Sequence, residues 1–318
     1  MFLASLALRG QTPTAAPKVT GGAELILVAK VTGRVTMTVN GATTPLAVDA
    51  KVLPSAKVNT EQDSSVVLVF SNGATTQLGA NSEMIIEEFL QDPFASTVKM
   101  ADVTDEPSIS TTKLKLNHGE LVGKVAHLKH DKGSTFVVET PVGAAGIRGT
   151  TFRIVFTPNG SGQAFFQLST VEGSVAFGQP TGVTAQGTAN VAVPVGQEIS
   201  VTVDVTTNAQ GVTVVTVLPT VTTTSNISPT VAAQVNQIAA DIAVATQQTA
   251  FTPATGGTGT SGGTTTDSAP KTDSSTTPPA GNSQKTDATT KTTDISGADF
   301  TGTVTQPVPR VTTGDGTN

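Results

Sequence analysis

The sequence predicts an all-β domain followed by one C-terminal helix and a long Thr-rich tail. Between residues 24 and 218, short runs rich in Val, Thr, Ile and Phe are interrupted by Gly, Asn or Pro. The interruptions recur about every eight to twelve residues, which is typical of all-β folds. Such short strands stack or wrap around a shared core. Gly-containing corners recur without a fixed period, which favours a short irregular β-solenoid or β-roll over a two-sheet sandwich.

Two Asn-Gly pairs predict tight hairpins. Asn40-Gly41 follows the predicted strand Arg34–Val39, and Asn72-Gly73 follows the predicted strand Ser65–Phe70. Asn-Gly supplies the positive φ angles that a two-residue hairpin requires. Further strands are predicted at 83–89, 114–116, 121–128, 135–139, 151–156, 164–168, 174–177, 189–193, 199–205 and 212–217.

The segment after Ser228 predicts an amphipathic helix. Ser228 suits the N-cap, and Pro229 suits the first helical position. Apolar residues at spacings of four, three and four form one stripe on a helix of about twenty residues. The stripe consists of Val231, Val235, Ile238 and Ile242. The polar face has no basic residue, so we expect the helix to dock on the β-domain or to self-associate through residues 229–251, rather than to lie on a membrane.

Composition shifts predict four segments. Residues 1–22 are interpreted as a signal-peptide remnant or a frayed terminus, because their apolar stretch is short and lacks a preceding basic region. Residues 23–220 are the predicted β-domain, and 221–251 are a linker and the helix. Residues 252–318 are rich in Thr, Gly, Ser and Pro, and we expect them to be disordered.

Composition also excludes several functions. The chain has no Cys, so disulfides, thiolate nucleophiles and iron–sulfur clusters are excluded. A pI near 5.0 and scattered basic residues argue against nucleic-acid binding. No apolar run is long enough to predict a membrane-spanning helix. Because no catalytic or phosphate-binding motif is evident, the sequence predicts a non-enzymatic protein without a cofactor.

Two groups of side chains could hold a metal, and each has a simpler interpretation. His127 and His130 form an H-x-x-H pair, but residues three apart on a strand point to opposite faces, which favours exposed polar residues. Asp102, Asp105 and Glu106 could bind calcium, but they lack the spacing and the internal Gly of a calcium loop, which favours a solvated acidic loop.

Glu87 and Glu88 are adjacent on a predicted strand. One side chain of such a pair is expected on each face of the sheet, because successive residues alternate along a strand. They are therefore not predicted to act as a facing acid–base pair.

The most distinctive stretch is the Gly-rich segment from Thr140 to Ile154. Its three glycines, at 143, 146 and 149, are predicted to form a corner before a new strand. Arg148 has two interpretations: its guanidinium caps carbonyls exposed at the corner, or it anchors an anionic ligand or a partner carboxylate. The candidate binding residues are Thr140, Pro141, Ile147, Arg148, Gly149, Thr150 and Phe152.

At this stretch the sequence resembles the FecR family, whose late motif is a strand, Thr-Pro, a short link, and Val or Ile followed by Arg-Gly-Thr, one residue and Phe. Thr140-Pro141, Ile147 to Thr150 and Phe152 match that motif. The resemblance covers roughly residues 31–203. Further elements in the family's order are Thr60, Ser64, Val66–Phe70, Asn72-Gly73, Leu78, Ser82, Gly119–Leu121, Phe136, Val171–Val175 and Val195–Gln197.

The resemblance implies an all-β domain outside the bacterial cytoplasmic membrane. This chain is similar to the stand-alone exported members, so we expect it in the periplasm or at the cell surface. The first hypothesis is an interaction or scaffold module whose partner is an envelope protein or a surface polymer. The alternatives are a sensory module that relays a signal to a separate membrane or sigma-factor regulator, and a binder of polysaccharide or an iron chelate. The family offers no catalytic residues.

Overall fold

Most of the chain that the structure describes is β-strand. The computed structural model describes residues 19, 21–22, 25–178, 191–208, 213–216 and 223–253. Within these ranges the helical elements are a 3-10 turn at His130–Lys132 and a single α-helix, α1, at Pro229–Thr246. In chain order the strands are β1 (Ile26–Thr32), β2 (Val35–Val39), β3 (Ala42–Pro45), β4 (Lys57–Thr60), β5 (Ser65–Phe70), β6 (Thr75–Leu78), β7 (Ser82–Gln91), β8 (Val98–Lys99), β9 (Ser110–Lys124), β10 (Thr135–Glu139), β11 (Ala144–Pro158), β12 (Gln163–Gly178), β13 (Val191–Pro194), β14 (Gln197–Thr207), β15 (Thr213–Val215), β16 (Ser225–Asn226) and β17 (Ala250–Phe251).

One large sheet contains most of these strands. Its main path runs β15-β14-β12-β11-β10-β9-β7-β4-β2-β3, and β1 and β5 join it through β6, which pairs with β9. Among the described strands, neighbours pair antiparallel, except that β9 and β10 run parallel. A separate two-stranded sheet joins β8 to β17, next to the C-terminal end of α1. The predicted all-β class is therefore confirmed.

The long strands change partners along their length. The first half of β9 pairs with β7 and β10, and the second half, from Gly119, pairs with β6 and β11. The prediction of separate strands at 114–116 and 121–128, and at 164–168 and 174–177, is therefore wrong. Gly119 and Gly173 have φ angles of +101° and +72°, so they bend β9 and β12 without ending either ladder.

The core is apolar and rich in phenylalanine. Side chains from both pairing regions of the sheet enter one buried cluster. Phe70 makes edge contacts with Phe89 and Phe136, at centroid distances of 5.3 and 6.4 Å. Among the described phenylalanines only Phe165, at 41% exposure, is on the surface. Burial of these rings holds the bent strands around a common centre.

The two Asn-Gly pairs behave differently. Asn40 and Gly41 both have positive φ, 51° and 81°, and join β2 to β3 as the predicted two-residue hairpin. At the second pair only Gly73 has positive φ. Asn72 is fully buried, and its side-chain amide donates to the hydroxyls of Ser110 and Thr112 at 3.1 Å each. This asparagine therefore ties the β5–β6 turn to β9.

The helix α1 docks on the sheet, as one predicted alternative requires. Ser228 caps it, because its Oγ accepts from the Val231 amide at 3.2 Å. Val235 and Ile242 are buried against Val67 of β5 and Val122 of β9. The predicted stripe is thus covered within the same chain. Self-association through residues 229–251 stays a prediction, and it would need another face of the helix.

Some predictions remain untested. The solenoid or roll type and the four domain boundaries stay predictions. The interpretation of residues 1–18 and of the tail beyond residue 253 lies outside the described residues, as do positions 189 and 190 of one predicted strand. Within the described ranges, no helix is long and apolar enough to span a membrane.

Replacing Ile242 with Ala is expected to loosen α1. Ile242 is 2% exposed, and truncation of a buried Ile to Ala costs about 2–5 kcal/mol of unfolding free energy. We expect a lower Tm and faster amide hydrogen exchange in residues 229–246. Val244, on the same helix, is 74% exposed, so Val244→Ala is the control and should leave both unchanged. Equal effects of the two substitutions would contradict the docked position of the helix.

Glu83 gives the fold a dependence on acidic pH. Burial opposes ionisation of Glu83, but hydrogen bonds from Asn117 and Lys57, together with the Lys57 charge, outweigh it and hold the pKa of Glu83 below its usual value. A carboxyl with a depressed pKa stabilises the folded state above its unfolded pKa, and this stability disappears as the pH falls through the folded pKa. The Tm difference between the parent chain and Glu83→Gln should therefore shrink between pH 7 and pH 3. A difference that stays constant over this range would contradict the assignment.

Candidate functional site

The turn before β11 is built by Thr140. Its hydroxyl donates to the Gly143 carbonyl at 2.8 Å and accepts from the Gly143 amide at 3.2 Å. Pro141 lies half-buried inside this turn. From Ala144 onward the chain is already strand, and Gly146 lies within the ladder. The predicted single corner over residues 143–149 is therefore wrong, because the chain changes direction at a short turn before β11 and again at a later bulge within it.

The bulge lies where β11 and β12 bend together. The register between these strands shifts between Arg148 and Thr151. Gly149 and Gly173, which face each other here, have φ angles of +57° and +72°. A Cβ atom on Gly173 would lie 2.5 Å from the Gly149 carbonyl oxygen. Both positions therefore require glycine. Gly149 is required for its positive φ, and Gly173 is required for its positive φ and for the close approach of the two strands.

Three candidate residues have structural roles at this bulge. The Thr150 hydroxyl donates to the carbonyls of Arg148 and Ser174, at 2.9 and 3.1 Å, and the Thr150 carbonyl accepts from Val125 N at 3.0 Å. Ile147 and Phe152, at 1% and 0% exposure, belong to the core. Thr150 therefore performs the carbonyl capping that the sequence suggested for its neighbour.

Arg148 is the candidate that projects into solvent. It is exposed, and its guanidinium makes no hydrogen bond or ion pair with any residue that the structure describes. The interpretation of Arg148 as a carbonyl cap is therefore wrong. The Arg148 backbone pairs with Ser174 of β12, and the Thr150 hydroxyl holds the bulge that follows it. The guanidinium therefore extends from a fixed backbone position, and none of its five donors is used by a described residue.

A cleft opens beside the bulge. It lies between the C-terminal half of α1, the segment 100–104 and the bulge within β11 and β12, and its volume is about 550 Å³. That volume is within the range of roughly 300–1,000 Å³ usual for small-molecule sites. Buried apolar side chains form its floor, including Met100, Val125, Ala126 and Ile242.

Charged side chains surround the mouth of the cleft. Lys124 Nζ lies 4.0 Å from Glu172 Oε2, and these side chains are 61% and 64% exposed. His127 Nδ1 lies 3.7 Å from Asp105 Oδ1, with both side chains 73% exposed. Glu172 also accepts from the Thr151 hydroxyl at 2.5 Å. Exposed pairs at these distances contribute little to stability, so a ligand can replace one partner of a pair at small cost.

The two histidines of the H-x-x-H pair have separate surroundings. His127 is exposed at the cleft, whereas His130 is half-buried in the 3-10 turn and not on a β-surface as predicted. His130 Nδ1 lies 2.9 Å from the Ser134 carbonyl, and its buried Nε2 has no hydrogen-bond partner among the described residues. In the part of the chain that the structure describes, no three His, Cys, Asp or Glu residues are grouped to hold a metal ion.

Glu106 is buried rather than solvated. It is 1% exposed, so the prediction of a solvated acidic loop is wrong for this residue. Its carboxylate accepts from the Ser110 hydroxyl at 2.9 Å, from the Lys129 amide at 2.5 Å and from the Ser134 hydroxyl. Donors from other loops replace water around this carboxylate, and they tie the segment after β8 to the 3-10 turn.

Glu87 and Glu88 do not lie on opposite faces. The register of β7 against β9 shifts between Ile86 and Glu88, and both glutamates are half-buried while Ile86 and Phe89 enter the core. The predicted alternation is wrong here because a β-bulge adds one residue to the outer side. Lys113 Nζ lies 2.9 Å from a Glu87 oxygen and 2.9 Å from a Glu139 oxygen, and these hydrogen bonds raise the pKa of Lys113.

These features define a mostly antiparallel β-domain with a helix-walled cleft at a Gly-dependent bulge. The family model described as FecR protein matches residues 56–176, which include every candidate from Thr140 to Phe152. The resemblance to the FecR family is therefore confirmed for this segment. The match is shorter than the range 31–203 over which the resemblance was drawn.

Solved structures similar to this chain include two crystal structures of a candidate anti-sigma factor from Parabacteroides distasonis. They are 14% and 15% identical to it, each with a TM-score of 0.33. Each match covers 54% of this chain and 59% of the other, so less than two thirds of the other protein is spanned. A TM-score this low supports no statement about fold or function. No curated protein matches the chain significantly.

Sequence reasoning missed most of the cleft. Lys124, Glu172 and Ile242 come from β9, β12 and α1, so no local spacing links them. In the sequence, the Val-Glu-Gly stretch ending at Gly173 is one of the recurrent Gly-containing corners and part of the family order. The positive φ of Gly173 shows why a glycine is needed there.

Gly173→Ala should destabilise the domain more than Gly146→Ala. A Cβ at Gly173 would lie 2.5 Å from a backbone oxygen, and residue 173 has a positive φ, which residues with a side chain rarely adopt. A Cβ at Gly146 would have its nearest neighbour at 3.7 Å. Strain of this kind costs about 1–3 kcal/mol. Gly149→Val should fall in the same range, because its φ is +57°. Thermal unfolding measures the effect, and similar Tm values for the Gly146 and Gly173 variants would contradict the bulge assignment.

Proposed function

We propose that this chain is a non-enzymatic interaction domain of the FecR type that binds a partner protein at the cell envelope. The observation that supports it is Arg148, which lies in the matched family segment. Arg148 is exposed, and in the described part of the chain its guanidinium has no partner. A guanidinium with free donors suits a carboxylate of a partner, and such residues are common at binding surfaces.

The rigid setting of Arg148 supports this role. The Thr150 hydroxyl donates to the Arg148 carbonyl. Ser174 of β12, which pairs with Arg148, also pairs with β13 on its other side. A side chain on a fixed backbone loses less conformational entropy on binding than one on a loose loop. Arg148 is therefore suited to act as a pre-positioned anchor, and no cofactor is needed for that role.

A second candidate function is a sensory module that relays an envelope signal to a separate membrane or sigma-factor regulator. The match to the FecR family favours it, because the best-known members of the family carry this domain on the outer side of a signalling protein. A scaffold role belongs to the first candidate, and both candidates include export to the periplasm or the cell surface and a fold of the solenoid or roll type.

Binding of a polysaccharide or an iron chelate is the weaker alternative. The chain has no Trp and no Tyr, and among the described phenylalanines only Phe165 is exposed. Sugar recognition usually uses rings that combine an apolar face with a polar edge.

The test is site-specific photo-crosslinking in bacterial cells. A photoreactive residue replaces Ser174, which is exposed and pairs with Arg148 across the strands, and in a control it replaces the exposed Leu53. We expect a protein adduct at position 174 that Arg148→Ala reduces at least five-fold, a loss on the scale of one charged hydrogen bond. No adduct is expected at position 53.

Mass spectrometry of the adduct separates the candidates. A membrane sigma-regulator would support the sensory module, and another envelope protein would support the scaffold. An absent adduct at position 174, or one that Arg148→Ala leaves unchanged, would contradict the proposed anchor.

A further inference from the structure

We infer that the cleft beside α1 binds a small organic carboxylate with an apolar body. This site differs from the Arg148 surface, because Arg148 does not line the cleft. The inference therefore stands independently of the partner proposal.

Polarity in the cleft changes from its floor to its mouth. The floor residues Met100, Val125 and Ile242 are between 2% and 8% exposed, whereas Lys124 and Glu172 at the mouth are more than 60% exposed. An apolar floor with a few polar groups at one end is the usual form of a small-molecule site. A complementary ligand would place its apolar body on the floor and its charged group at the mouth.

The mouth carries one ammonium, Lys124, beside the carboxylate of Glu172. Lys124 Nζ makes no hydrogen bond with any described residue, and its ion-pair partner Glu172 Oε2 lies 4.0 Å away and accepts from the Thr151 hydroxyl at 2.5 Å. An exposed pair at this distance is weak, so a ligand carboxylate can replace Glu172 as the partner of the three ammonium donors.

A ligand carboxylate is the group that complements the Lys124 donors, and the size of the cleft limits the ligand to a small molecule. The volume of about 550 Å³ is bounded on one wall by Gly149 and Gly173, which bring the backbone close to the ligand because neither has a side chain. A carboxylate on a short apolar chain meets Lys124 with its head and Ile242 with its tail.

The experiment uses NMR of the full chain labelled with ¹⁵N-glycine. The probes are hexanoate, hexylammonium and 1-hexanol, which share a chain length and differ in the charge of the head group. Hexanoate is expected to shift the amides of Gly73, Gly149 and Gly173, which line the cleft. Gly41, on the β2–β3 hairpin with no neighbour within 4 Å of a Cβ placed there, should not move.

Matched variants test the role of the ammonium. Lys124→Met should weaken hexanoate binding about ten-fold, the scale of one charge-assisted hydrogen bond. Lys57→Met is the control, because Lys57 lies 3.0 Å from Glu83 and outside the cleft, and it should leave the Kd unchanged. The glycine spectrum of each variant also shows whether it is folded.

Three results would overturn the inference. In the first, the amides of the cleft glycines do not shift when hexanoate is added. In the second, hexylammonium or 1-hexanol binds as tightly as hexanoate. In the third, Lys124→Met leaves the Kd of hexanoate unchanged. Arg148→Ala, which tests the partner proposal, should keep hexanoate binding intact, so failure of one proposal is distinguishable from failure of the other.

Discussion

The close approach of β11 and β12 at Gly149 and Gly173 is the constraint on which the site depends. A Cβ on Gly173 would lie 2.5 Å from the Gly149 carbonyl oxygen, and both residues have positive φ angles. Glycine is therefore the residue type that lets two adjacent long strands bend together without losing their ladder. Before the bend β11 pairs with β10, and after it β11 pairs with β9. Side chains from both of these regions therefore pack in one core.

The same bend positions the functional surface. Arg148 is exposed beside the bend and does not line the cleft, whereas Gly149, Thr150 and Gly173 form one of its walls. The helix α1 completes the cleft because Val235 and Ile242 hold it against the sheet. A family motif that reads as a single corner in the sequence thus combines a turn, a bulge and a wall. The protein-anchoring and ligand-binding proposals rest on different residues of this unit, Arg148 and Lys124.

Sequence reasoning failed where strand periodicity or solvation depends on distant partners. Glu87 and Glu88 lie on one side because a bulge in β7 against β9 interrupts the alternation, which the residues of β7 alone do not reveal. Glu106 looks like part of a solvated acidic loop until the hydroxyls of Ser110 and Ser134 are brought to it. In each case the deciding group comes from another part of the chain.

The sequence by itself determined the β-class, the Asn40-Gly41 hairpin, the capped helix with its apolar stripe, and the family resemblance of the Gly-rich motif. These features depend on local backbone preferences and on short-range periodicity, and residues close together in the sequence determine both. Only the tertiary structure decided which strands continue through their glycines and that Lys124 faces a cleft walled by α1. It also decided that Thr150 caps the carbonyls, while the Arg148 guanidinium binds no described residue. Those outcomes depend on contacts between residues far apart in the chain, whose register is set only when the core is packed.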